Sequence, residues 1–241
     1  MSIRLIPILI SIIISYKALG QIYIGVSCDV GNSVQQNSEI GDTYFKKGLA
    51  VSGSLMILKH EQMRKNWFLQ YGLAAGVLGH NVKVELKDTL MYPMNSSPDF
   101  FLDYTNFYGS LQFGIGKNFP LGSRKCSFII SGGATRYFNM FPEGVTGNVG
   151  VLNDDNTIST LFYYEMLPSN KFSAFIECSF QIELARRVTA SLSYRNNFNE
   201  ALTGSYEFYH TPRSSYGQLS LTQKTLSLQL LVMLGKIKPV N

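Results

Sequence analysis

The residues able to do chemistry in this 241-residue chain are few. Three histidines (His60, His80, His210) and three cysteines (Cys28, Cys126, Cys178) supply every imidazole and thiol. Nucleophilic catalysis needs an imidazole within hydrogen-bond reach of a hydroxyl. His210 has Glu207, Ser214 and Ser215 near it along the chain, but that stretch reads as a loop that fixes no such geometry. No Cys-x-x-Cys or similar ligand spacing occurs, so neither a metal nor a cofactor is expected, and the thiols read as free structural residues. More informative are charged and amide side chains at alternate positions. Glu177, Gln181 and Glu183 lie in one run, Arg195 in the next and Gln112 upstream. A spacing of two puts such residues on one face of a strand. They read as a lumen polar network rather than a reaction centre, and no enzymatic activity is expected.

The elements that must hold these residues are strands. Phe172, Ala174, Ile176, Cys178, Phe180 and Ile182 oppose Ser173, Phe175, Glu177, Ser179, Gln181 and Glu183. Val188, Ala190, Leu192 and Tyr194 oppose Thr189, Ser191, Ser193 and Arg195. The same alternation predicts strands over 45–57, 67–77 and 107–116, and more weakly over 22–30, 126–137 and 218–234. Leu219 and Leu221 fall out of phase with Leu226 to Leu234, which predicts a bulge near Lys224. The total is eight strands.

One face is Leu, Val, Ile, Phe and Tyr; the other mixes Gly and Ser with Gln and Glu. A soluble barrel needs a charged exterior, yet charged residues are only 15% of the chain. The apolar faces therefore read as lipid-facing and the small polar faces as a narrow packed lumen. The 13% aromatic content suits an interfacial girdle. A net charge of +5 with no basic run gives no reason to expect nucleic acid. At the start, Arg4 precedes an apolar run from Leu5 to Ile14, and Ala18-Leu19-Gly20 follows. Residues 1–20 read as a signal peptide and 21–241 as the barrel domain. The run is too short to span a bilayer as a helix, which takes about 20 residues.

Connections alternate. Those over 60–66, 118–124 and 185–187 are short, whereas 31–43, 82–104, 138–170 and 199–216 are long and polar. Short periplasmic turns and long outer loops follow. The third loop contains 145–151 and 157–165 around Asn153-Asp154-Asp155-Asn156, read as a strand pair projecting from the barrel, with a ten-stranded barrel as the alternative. If Leu184 and Val188 close the turn Ala185-Arg186-Arg187, then Glu177 faces Arg195, Gln181 faces Ser191 and Cys178 faces Tyr194. Two lumen charges of opposite sign thus fall opposite each other.

These features, with LQYGLAAGV, YGSLQFGIGKNFPL and the ending LSLQLLVML, make the chain resemble the small outer-membrane β-barrel proteins of Bacteroidota, similar in architecture to enterobacterial eight-stranded barrels. The resemblance implies an all-β, antiparallel, up-and-down transmembrane barrel in the outer membrane of a Gram-negative bacterium. It implies contact with outer-membrane lipid and lipopolysaccharide, and with the barrel-assembly machinery during insertion. The role expected is structural, or surface interaction with an envelope protein through the outer loops. Phe162, Tyr163, Tyr164, Tyr206, Phe208 and Tyr209 are the candidate interaction rim. An accessory barrel of a secretion or envelope-assembly system and a lipid-modifying enzyme are the alternatives. Asp88-Thr89-Leu90 resembles the short O-glycosylation sequon of Bacteroidota.

Overall fold

The alternating runs form strands that hydrogen-bond into a ring. The computed structural model describes residues 20–31, 33–38, 45–47, 51–84, 100–139, 145–152, 158–168, 172–210 and 213–237. The expected signal segment up to Leu19, the Asp154-Asp155 turn and the Asp88-Thr89-Leu90 tripeptide lie outside these residues. Twelve strands follow in order: β1 (Gly20–Val30), β2 (Ser33–Ser38), β3 (Phe45–Lys47), β4 (Val51–Gln62), β5 (Trp67–Val84), β6 (Phe100–Leu121), β7 (Arg124–Asn139), β8 (Val145–Leu152), β9 (Ile158–Pro168), β10 (Ser173–Ala185), β11 (Val188–His210) and β12 (Arg213–Ile237). Eight of them (β1, β4, β5, β6, β7, β10, β11 and β12) pair antiparallel in that order, and β12 returns to β1. Closure removes every sheet edge at barrel level.

The register fixes the barrel's shape. From Gly25, paired positions lead through Met56, Ala74, Ser110 and Thr135 to Ser173 on β10. In the other direction they lead through Leu231 and Thr189 to Glu183, ten residues further along the same strand. Eight strands with a stagger of ten residues require a tilt of about 40° from the barrel axis. On β7 the outward positions run from Phe128 to Phe138, which at that tilt covers about 25 Å, the height of a membrane barrel's apolar band. Leu226, Leu228, Leu230, Val232 and Leu234 stand exposed on β12, as do Ile24, Leu55, Phe113, Ile130, Ile176 and Leu192 elsewhere. No helix among the described residues is long and apolar enough to cross a membrane; the crossing elements are strands.

Above the band the sheet continues. β9 pairs with β11 over Leu202–His210, β8 pairs with β9, and β2 pairs with β12. Since β7 and β10 pair directly, the β8–β9 hairpin projects and the barrel has eight strands rather than ten. Four expectations need correction. The stretches 82–84, 100–104 and 199–216 are largely strand, because polar chain beyond the lipid still gains ladder hydrogen bonds while losing its alternation. The second strand is described as β3 and, from Val51, as β4, which continues past the expected Ile57 to Gln62. The irregularity opposite Lys224 belongs to β11, between Asn196 and Glu200; Leu221 is out of phase because it is buried inward. Strand parity assigns all three cysteines to the lipid face; all are free, but only Cys28 and Cys178 are exposed, and Cys126, between its partners Phe119 and Ile182, is buried.

Three turns close the short end. Gly122-Ser123 places Gly122 at φ 61°, a left-handed conformation that favours glycine, whereas Met63–Asn66 places Lys65 at φ 55°. The third is Arg186-Arg187, two residues rather than the expected three, with Ala185 paired to Val188. A bulge between Glu183 and Ala185 restores the missing residue, so the predicted pairing of Glu177 with Arg195 stands.

Candidate functional site

The strands deliver Glu177 and Arg195 to the middle of the lumen. They face each other on β10 and β11, and Arg195 Nε and Nη2 each lie 2.7 Å from Glu177 Oε2. Ser179 Oγ donates to the other carboxylate oxygen at 3.1 Å. Arg195 Nη2 also donates to Gln112 Oε1 at 3.4 Å. Gln112 is on β6, which is not a ring neighbour of β11, so the guanidinium ties opposite walls together. The Phe175 ring lies 4.2 Å from the guanidinium carbon and rests on Gly133, where a Cβ would strike both that ring and the Leu111 carbonyl. Glu177, Arg195 and Gln112 are all buried. A charge so placed needs its counter-ion.

A second cross-lumen tie joins Tyr137 to Gln223. The Tyr137 hydroxyl donates to Gln223 Oε1 at 2.8 Å, and Asn197 Nδ2 donates to the same oxygen at 2.9 Å. Buried Asp29 adds another acid to this interior. The sequence did not single out Tyr137, because its contact crosses the lumen to β12 rather than running between adjacent strands. Ser110, Ser131, Thr135 and Ser191 bury hydroxyls that have no protein partner; groups of this kind bind ordered water.

The lumen is not polar throughout, contrary to expectation. Met56, Leu58, Ala74 and Leu231 form a buried apolar cluster with Tyr23 packed against it. At the short-turn end is a cavity of about 680 Å³ to which all eight barrel strands contribute lining residues. Gln181 and Glu183 line this cavity, with Lys125, Arg186 and Arg187, rather than joining the Glu177 network. His60, the histidine given no role from sequence, is also here. Its ring lies 4.6 Å from that of Tyr23 and 4.7 Å from that of Phe68, and Nε2 donates to Gln70 Oε1 at 2.8 Å. An amide partner cannot be activated as a nucleophile. On the outer wall at this end, the Tyr71 hydroxyl donates to Glu61 while the Lys59 ammonium lies 5.4 Å over the Tyr71 ring. Among the described residues no cluster of His, Cys, Asp and Glu could hold a metal ion.

The chain matches no protein-family model and no curated protein. Among solved structures it is similar to the outer membrane protein OprG of Pseudomonas aeruginosa, with a TM-score of 0.48 and 11% identity over 90% of this chain and 95% of that one. It is also similar to Neisserial surface protein A, with a TM-score of 0.37 and 11% identity over 88% and 96% of the two chains. For Ail of Yersinia pestis the TM-score is 0.36 and the identity 9%, over 89% and 99%. Likenesses this remote say nothing of activity; the closed ring of pairings itself establishes the fold.

At the long-loop end, β9 and β11 set Phe162 opposite Phe208, Tyr164 opposite Tyr206, Tyr163 opposite Glu207 and Leu161 opposite Tyr209. Tyr163 is exposed, whereas Tyr206 is buried against Gly217 of β12. The side chains of Phe162, Tyr164, Phe208 and Tyr209 lie outside the described residues, as do those of His80 and His210.

Proposed function

We propose that this chain is a non-enzymatic, integral outer-membrane barrel with a filled lumen, whose role is carried by the sheet extension at its long-loop end. The observation behind this reading is the Arg195–Glu177–Gln112 tie across the lumen. Together with the apolar cluster of Met56, Leu58 and Leu231, it leaves no wide path through eight strands. The short turns face the periplasm, and β2, β8 and β9 carry the surface outward as a scaffold for interaction with an envelope or surface protein. Lipid and lipopolysaccharide surround the wall, and the assembly machinery inserts it.

Two readings of one preparation test this. Detergent-extracted membrane protein should migrate faster unboiled than boiled, and the purified barrel should show no stable conductance in planar bilayers. A protein that is soluble after lysis removes the membrane assignment; steady single-channel steps remove the filled lumen.

A further inference from the structure

Arg136 is the one cation set on the outer wall between two exposed aromatic rings at the long-loop end, among the described residues. It projects from β7 with the outward parity of Phe128, Ile130 and Phe138, next to Gly109 of β6. Its guanidinium carbon lies 5.7 Å from the Phe138 ring centre and 5.4 Å from that of Phe172, the residue before β10. Both rings are exposed and mark the upper edge of the apolar belt. Arg136 is therefore one outward step, about 5 Å, inside that edge. No carboxylate among the described residues pairs with it.

A guanidinium inside an apolar belt is costly unless it reaches an anion or water. Cation–π contacts offset part of that cost but leave the five N–H donors without acceptors. The wall is low beside it at Gly109, its partner on β6, and below it where Ala134 and Ala174 pair across β7 and β10, with Leu111 of β6 at the side of that row. On the membrane reading, lipid headgroups begin one step above it, at the level of Phe138 and Phe172, within reach of an arginine side chain.

We infer that Arg136, Phe138 and Phe172 form a binding site for the phosphate of a net-anionic lipid in the leaflet on the long-loop side. The guanidinium takes the phosphate through paired N–H donors, the two rings hold its plane, and an acyl chain lies along the low wall beneath. The inference rests on the membrane reading above.

Native mass spectrometry of the folded full-length barrel, titrated with lipid A, phosphatidylglycerol or phosphatidylcholine, tests it. Heat modifiability of each variant is checked first, so loss of the membrane fold registers separately from loss of the site. The expected result is that the wild-type protein holds an anionic lipid roughly tenfold more tightly than Arg136→Gln does. Arg136→Lys recovers part of that, Phe172→Leu loses about threefold, and Arg64→Gln in the opposite turn changes nothing. Whichever anionic lipid binds more tightly names the source of the phosphate. Equal retention by wild type and Arg136→Gln, or equal retention of phosphatidylcholine and the anionic lipids, overturns the site. Displacement by millimolar inorganic phosphate would overturn it too, since it would show a free-anion site.

Discussion

Arg195 and Glu177 sit directly opposite each other on adjacent strands, and two guanidinium nitrogens converge on one carboxylate oxygen at 2.7 Å. The same guanidinium reaches Gln112 on the far wall, so one side chain couples three strands. Removing one partner of such a pair leaves a buried charge uncompensated, whereas removing both does not.

Glu177→Gln should therefore lower the stability of the micelle-embedded barrel by about 3 kcal/mol. Adding Arg195→Gln should recover more than half of that loss. Urea titrations that follow the heat-modifiable band give both values. Additive losses in the double variant would mean that the pair is not coupled.

The two glycine–phenylalanine pairs of the lumen should respond differently to rescue. The three atoms nearest a Cβ at Gly116 all belong to the Phe68 ring, so Gly116→Ala should destabilise and Phe68→Leu should relieve it. A Cβ at Gly133 would also meet the Leu111 carbonyl, so Phe175→Leu should not restore Gly133→Ala. Unfolding midpoints of the four single and two double variants decide this, each single glycine change costing about 1–3 kcal/mol.

Opposite signs are expected in two short turns. Gly122→Val forces a β-branched residue into φ 61° and should cost about 1–2 kcal/mol. Lys65 already adopts φ 55°, so Lys65→Gly should stabilise by up to about 1 kcal/mol. Neither side chain belongs to the lumen network, and urea midpoints report both.

Thiol labelling should map the wall. In bilayers, a lipid-soluble maleimide should add to Cys28 and Cys178 and spare buried Cys126, while a charged water-soluble reagent adds to none. Intact mass should show two adducts before unfolding and three afterwards. Reaction of Cys178 with the charged reagent would mean that this wall faces water.

The sequence by itself determined which side of each strand faces lipid, because the bilayer and the lumen demand opposite polarity and a strand alternates between them. Ile176, Cys178 and Phe180 were assignable to one face and Glu177, Ser179 and Gln181 to the other on that ground alone. It also determined the pairing of Glu177 with Arg195, since hairpin register is local and an unforeseen bulge offset the shorter turn. Where β11 and β12 end was illegible: beyond the lipid no face is selected for polarity, so Asn199 to Tyr216 looked like loop. Tertiary structure alone decided the ten-residue stagger, the docking of β9 onto β11, and the meeting of Arg195 with Gln112 and of Tyr137 with Gln223. Each of these joins strands that are not consecutive in the chain, and their separation across the barrel depends on closure and tilt, which a local pattern does not carry. His60 was read as the start of the 60–66 turn because alternation was followed only to Ile57; β4 runs on through it, and pairing with β1 and β5 sets its ring between Tyr23 and Phe68.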